Sequence, residues 1–176
     1  EMYRGNEFRV LVFGGRVLSC VQKIPASVTG DGKSTIEELI HKFNKRRMRG
    51  FEIKIDKVAK KTLLKNNLTL LSVLPRNYHL ELRHNLNMSD GGRAIECTKK
   101  MSVFFKNICI DAAEATGLTF GGVDLMTKNI NADNAPYVIL EVNPNPFYNM
   151  HEKPLAEGRG LDVSKILLKH YFSGLK

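Results

Sequence analysis

The sequence contains no apolar run near the roughly 20 residues that a helix needs to cross a bilayer, and the opening Glu1–Met2–Tyr3–Arg4 lacks the layout of a secretory signal. A cytoplasmic protein without a membrane partner is expected. Cysteine is sparse: Cys20, Cys97 and Cys109 are odd in number and show no Cys-x-x-Cys spacing, which argues against a disulfide framework or a zinc cluster. They read as reduced thiols, mostly in the core. The histidines at 41, 79, 84, 151 and 170 are nowhere spaced as His-x-x-x-His, which speaks against a histidine metal site. There is no internal repeat and no low-complexity tract.

At 176 residues with 43% hydrophobic content, the chain can bury a core of its own and lies within the range of one domain. Its charge is lopsided, with 27 Lys and Arg against 18 Asp and Glu, a formal +9. Such a surplus suits nucleic acid, a membrane surface or a small anionic substrate. The densest part, His41 to Arg49, fits equally a plain solvated face. Nucleic acid is disfavoured, because the chain shows no reading motif and no interleaved aromatics on which bases could stack.

Taken in order, Glu7–Phe13 and Arg16–Ile24 are β-rich runs joined by Gly14–Gly15, the pattern of a hairpin that Pro25 closes. Gly30–Asp31–Gly32–Lys33 supplies a turn, and Ser34–Thr35–Ile36–Glu37 reads as a capping box for a helix over about 35–46. A helix near 56–66 and a strand over 78–83 follow. Asn85 to Arg93 is a polar, glycine-containing loop without apolar anchors, open enough for backbone amides to close on an anion, although such loops are commonly plain connections. From Thr98, Met101, Phe104, Phe105, Ile108 and Ala112 recur at helical spacing, with Gly117 as the terminating residue. A closing amphipathic helix near 162–172 rests on Val163, Ile166, Leu167 and Phe172. These elements predict one α+β unit with a largely antiparallel sheet and packed helices.

The chemistry concentrates in Tyr137–Asn143, a strand that Pro144 and Pro146 terminate. Strict alternation puts Tyr137, Ile139, Glu141 and Asn143 on one face and Val138, Leu140 and Val142 on the other. A carboxylate and an amide oxygen about 7 Å apart on a rigid strand suit a hard divalent cation such as Mg²⁺. Leu118–Met126 reads as a second strand, and antiparallel pairing would bring Asp124 onto the face that carries Glu141 and Asn143. Taken singly, each acid is equally at home as a solvated strand or turn residue.

Five segments occur in the order seen in ATP-grasp ligases: Glu1–Arg9, Val28–Leu39, Leu82–Gly92, Gly122–Val123–Asp124 and Glu141–Val142–Asn143. The chain resembles that family over nearly its whole length. It is most similar to the glutathione synthetase part of bifunctional glutathione synthases and to the ligase domain of cyanophycin synthetases. The resemblance implies the C-terminal catalytic subdomain of an ATP-grasp fold, with residues 1–176 a fragment of a longer chain. It implies a ligase that uses ATP with Mg²⁺ or Mn²⁺ to convert a carboxylate into an acyl phosphate, which an amine then attacks. The substrates would be small amino acids or peptides. By the same resemblance Asp124, Glu141 and Asn143 match metal ligands, Glu1, Met2 and Arg4 match the segment that contacts adenine, and Glu7 matches the acid that holds the ribose hydroxyls. Arg83 and Asn85, with the loop to Arg93, match the segment over phosphates and acceptor.

The family's typical earlier half, with two phosphate-contacting lysines and a small lid, would be a missing partner, so the fragment alone is expected to have little or no ligase activity. Pro144, Pro146 and the run Phe147–His151 depart from the commonest tails of either subfamily, which leaves the acceptor open. Oligomeric state is open as well. Two other readings stand beside the ligase: a basic, non-catalytic binding module, and a degenerate ligase fold kept for interaction or regulation.

Overall fold

Two β-rich runs joined by Gly14–Gly15 form the predicted hairpin. β1 (Asn6–Phe13) and β2 (Arg16–Ile24) pair antiparallel, and both glycines adopt the positive φ, 55° and 69°, that a two-residue turn of this kind requires. The computed structural model describes residues 4–153 and 155–173, so Glu1 and Met2 lie outside the described residues. The chain forms two compact units, Glu1–Lys23 with Ala94–Lys176, and Ile24–Arg93. The physical reason is that the apolar side chains gather in two separate clusters, each with its own buried centre.

The first unit is built on a six-stranded sheet. The hairpin is joined there by β5 (Arg93–Glu96), β6 (Phe120–Thr127), β7 (Tyr137–Asn143) and β8 (Ala156–Glu157), in the order β7-β6-β1-β2-β5-β8. The β1–β6 and β6–β7 pairs are antiparallel and the β5–β8 pair is parallel. One face is covered by α3 (Val103–Ala115). Ser102 starts that helix by accepting the amide of Phe105, and Gly117 ends it, with Gly117 N donating to Glu114 O and Leu118 N to Ala113 O. Phe105, Cys109 and Ala113 pack on Phe8, Val10 and Val12 of β1 and on Val123 and Leu125 of β6. Full burial of one such side chain is worth roughly 1.5–3 kcal/mol. All three cysteines are free and buried, and burial pushes Cys109 up to about 12.

Alternation along β1 turns Glu7, Arg9 and Leu11 to the opposite face. There α4 (Val163–Tyr171) brings His170 and Tyr171 against Phe13, with ring centres 4.8 Å and 6.3 Å away. A short 3₁₀ turn, Tyr148–His151, buries His151 with its Nδ1 2.9 Å from Ser19 Oγ.

Strand β7 departs from the predicted alternation. Asp124 lies opposite Glu141, but Leu125 lies opposite Ile139, so Leu140 is an extra residue in the ladder. This bulge reverses the facing of everything before it. Tyr137 stacks on Phe104 and Phe105, and Ile139 and Val142 pack on the α3 core, while Glu141 and Asn143 point the other way. The expectation that Tyr137 and Ile139 share a face with Glu141 is therefore corrected.

The second unit carries β3 (Ser27–Thr29) paired antiparallel with β4 (His79–Glu81), and the helices α1 (Ile36–Asn44) and α2 (Lys57–Lys65). Ile36 and Ile40 of α1 and Leu63 of α2 meet Val28, Leu74, Leu80 and Leu82 in its core. The capping box of α1 lies one residue later than predicted. Thr35 Oγ1 accepts the amide of Glu38, and the Glu38 carboxylate accepts the amide of Thr35. Ser34 is drawn instead to Asp31, which accepts its amide and its hydroxyl and is held far below the usual carboxylate range by them and by the Lys33 amide. The segment 85–93 does have an apolar anchor, since Met88 is buried within a 3₁₀ turn, Met88–Asp90.

The His151 ring is held down to about 3 by burial and by the charge of Arg9, with Asp124 opposing. The folded protein keeps the ring neutral, whereas the unfolded chain takes up a proton below about 6.5. Stability is therefore complete above that pH and falls as the pH drops toward the folded value. Urea unfolding between pH 7 and pH 4.5 is expected to show a loss of up to about 1.4 kcal/mol per pH unit from this group. His151→Gln should flatten the slope, and an unchanged slope would show that His151 is not the cause.

Candidate functional site

The face of the first unit's sheet turned away from α3 gathers five charged side chains from four strands. Register places them: Arg9 of β1 lies beside Asp124 of β6, Asp124 lies opposite Glu141 of β7, and Glu7 of β1 lies opposite Lys23 of β2. Arg9 donates through Nε to Asp124 Oδ1 and through Nη2 to Asp124 Oδ2 at 2.7 Å. The same Nη2 reaches Glu141 Oε1 at 3.4 Å. Lys23 Nζ bonds Glu7 Oε1 and stands 3.6 Å from Asp124 Oδ2.

Burial divides the roles. The Asp124 side chain is 6% exposed and that of Glu141 56%, so one carboxylate is a fixed internal charge and the other faces solvent. Burial works against the charge on Arg9, but its hydrogen bond to Asp124 and the charges of Asp124, Glu141 and Glu7 outweigh that, and its pKa is raised. Three carboxylates meet two cations, which leaves the cluster one formal charge negative. Asn143, two residues beyond Glu141 and opposite Gly122, adds an amide oxygen that accepts the Asn145 amide at 2.9 Å. An oxygen-only donor set with surplus negative charge is chemically fit for a hard divalent cation.

Gly122 matters to this face. A β-carbon there would stand 2.6 Å from Pro146 Cβ and 3.0 Å from Arg9 Cδ. Its bare backbone lets Pro146 lie over the strand beside Arg9.

The predicted site residues fall into three groups. Asp124, Glu141, Asn143 and Glu7 come together on one sheet face. Arg4 is exposed in the segment before β1. Arg83 and Asn85 belong to the second unit, where their partners are local. Arg83 is 5% exposed and gives Nη2 to Asp56, the capping residue of α2, at 2.5 Å, while its Nε is buried without a partner. The bond to Arg83, then the Ala59 amide, lowers the pKa of Asp56. Asn85 Nδ2 donates to Asp90 Oδ2 at 3.0 Å. Sequence reasoning missed Arg9, Lys23 and Gly122. The spacing Glu7-x-Arg9 was a usable signal, since it puts an acid and a base on one strand face. Lys23 becomes visible only once the hairpin register is known.

No protein-family model matches the chain. Among known proteins, the glutathione biosynthesis bifunctional protein of Enterococcus faecalis is 36% identical over 95% of this chain, and cyanophycin synthetase of Synechocystis is 37% identical over 97%. The matches take up 24% and 20% of those proteins, so the chain spans about a quarter of their length or less. A bifunctional glutathione synthetase from Pasteurella multocida, known from its crystal structure, superposes over 99% of this chain and 25% of its own, with a TM-score of 0.87 at 27% identity. Similarity of sequence along nearly the whole chain, joined to a shared backbone, makes this chain a homologue of one segment of the bifunctional glutathione synthetases and of cyanophycin synthetase.

Proposed function

We propose that this chain forms the metal-binding part of an ATP-dependent carboxylate–amine ligase of the glutathione synthetase kind. The observation that carries the reading is the convergence of Asp124, Glu141 and Asn143 on one sheet face, with a single nitrogen of Arg9 reaching both carboxylates. Those three side chains would hold the divalent cation. MgATP, when bound, supplies the phosphoryl group that activates a carboxylate toward an amine.

This chain's own residues contribute charge and position. Asp124 is held in place by two contacts from Arg9, and a cation would share its oxygens with that guanidinium. Glu141 presents its carboxylate to solvent, where a cation can reach it. Arg9 and Lys23 place two positive charges on the same face, which oppose the charge of a nucleotide's phosphates. Glu7 accepts from Lys23 Nζ through Oε1, and its other oxygen would serve a ribose hydroxyl. The adenine contact of Arg4, and of Glu1 and Met2 outside the described residues, rests on the resemblance alone, as do the substrate contacts of Arg83 and Asn85. A second reading, a cyanophycin-synthetase-like ligase, is favoured by the equal similarity to that enzyme.

ADP release should be assayed with the 176-residue chain and with any longer protein that contains it. Substrates are γ-glutamylcysteine with glycine, then aspartate with arginine. Turnover with the first pair supports the glutathione-type reading, and turnover with the second alone supports the other. With an active protein in hand, Asp124→Asn and Glu141→Gln are each expected to lower ADP release at least about 100-fold, as loss of a metal-borne electrostatic contribution does. Retention of the wild-type rate by both would remove the metal assignment.

Gly122→Ala forces Pro146 and Arg9 apart. It is expected to reduce ADP release while circular dichroism shows the sheet intact, and an unaltered rate would mean that the face tolerates the shift.

A further inference from the structure

The basic surplus is not spread evenly. Ile24–Arg93 holds fourteen Lys and Arg against seven Asp and Glu, and the rest of the chain thirteen against eleven. Within that second unit an open cleft of about 460 Å³ separates α2 from β4. Lys61 and Lys65 line one wall. Tyr78, His79, Glu81 and His84 line the other. Among the described residues, no side-chain hydrogen bond or ion pair engages Lys61, Lys65 or His84, and Tyr78 is exposed.

The strand side of the cleft is a free edge. β4 has β3 on one side and no second strand partner among the described residues. Gly30 N donates to Tyr78 O at 2.9 Å and Leu82 N to Ala26 O at 2.8 Å, which makes 78 and 82 the positions bonded toward β3. By the alternation of an antiparallel ladder, His79 and Glu81 direct their N–H and C=O groups away from β3. Those groups have no partner among the described residues.

We propose that this cleft docks an extended acidic peptide segment, added as a third strand at the edge of β4 and held by Lys61 and Lys65. Two spacings agree. Lys61 and Lys65 stand one helical turn apart, about 6 Å along the axis. Acidic residues at alternate positions of a strand recur about 6.6 Å apart on one face. A strand carrying acids at i and i+2 therefore presents one carboxylate to each lysine while its backbone pairs with His79 and Glu81, the mode by which exposed edges take up peptides. Glu81 is the one carboxylate of the cleft and disfavours a third acid beside it. Nucleic acid fits less well, because Tyr78 is the single Phe, Tyr or Trp side chain of the cleft and a phosphate backbone cannot satisfy an alternating N–H and C=O edge. The inference is independent of the ligase reading, since it uses none of the metal-site residues.

The test is fluorescence anisotropy of the whole chain with a labelled peptide of alternating Thr and Glu, against a peptide of the same composition with its acids contiguous. The alternating peptide is expected to bind at least about tenfold more tightly. The K61E/K65E double variant should weaken it at least about tenfold, and K61Q/K65Q by less. Because both lysines are exposed on α2, circular dichroism should show each variant folded. Hydrogen exchange should slow at the amides of His79 and Glu81 in the complex. The proposal is overturned by equal binding of the two peptides, by variants that bind as well as the wild type, by no binding at about 1 mM peptide, or by a 20-nucleotide single-stranded DNA that displaces the peptide with a steep salt dependence.

Discussion

The pairing of Arg9 with Asp124 is the constraint on which the first unit's sheet depends. Both side chains are almost wholly out of water, at 10% and 6% exposure. Removing two ions from water costs several kcal/mol apiece, and a two-point contact between guanidinium and carboxylate offsets that only when the geometry is held. The sheet holds it. A slip of β1 by one residue would carry Arg9 into the α3 core and bring Val10 out to the charged face, so the pair and the apolar alternation enforce the same register. Loss of one partner would leave the other with only a longer contact, Arg9 to Glu141 at 3.4 Å or Asp124 to Lys23 at 3.6 Å, and breaking a buried pair costs roughly 3–5 kcal/mol.

The two units solve different problems with different composition. The first is nearly balanced in charge and keeps five of its ions in mutual contact on one sheet face. The second is a small core of Ile and Leu wrapped in lysine and arginine, most of them solvated. Its local order comes from caps rather than long elements: Thr35 with Glu38 starts α1, and Asp56 starts α2 while also receiving Arg83. A nine-residue helix gains little from propensity alone, so these caps and the one buried face must supply most of its stability.

Much of this was legible in the chain itself. The Gly14–Gly15 hairpin, the spacing from Met101 to Ala112 with Gly117 after it, and the pairing of the Asp124 and Glu141 strands all follow from local patterns that tertiary packing reinforces. Four things were hidden. Ser34 and Thr35 are both good caps, and the choice between them was decided by Asp31, which captures the serine. The division into two units follows from which side chains meet across long sequence separations, and hydrophobic periodicity within one element does not encode that. The membership of Lys23 and Gly122 in the charged face depends on register, and register appears only when strands pair. In the second unit, the partnership of Arg83 with Asp56 was equally invisible, because an arginine beside a glycine loop reads as a free cation until its partner is seen.

The extra residue at Leu140 separates two halves of one strand. Before it, Tyr137 and Ile139 face the core, and after it, Glu141 and Asn143 lie on the charged face. Leu140 itself is 47% exposed and is not among the residues packed on the core. Its side chain is thus of little consequence, and the bulge absorbs its length without disturbing the pairs on either side. A chain shortened by that one residue would pair in the same register without a bulge, with Tyr137 and Ile139 still on the core face and Glu141 and Asn143 still on the charged one. What the charged face needs from this strand is that Glu141 stay opposite Asp124, and the bulge keeps it there in spite of the extra residue.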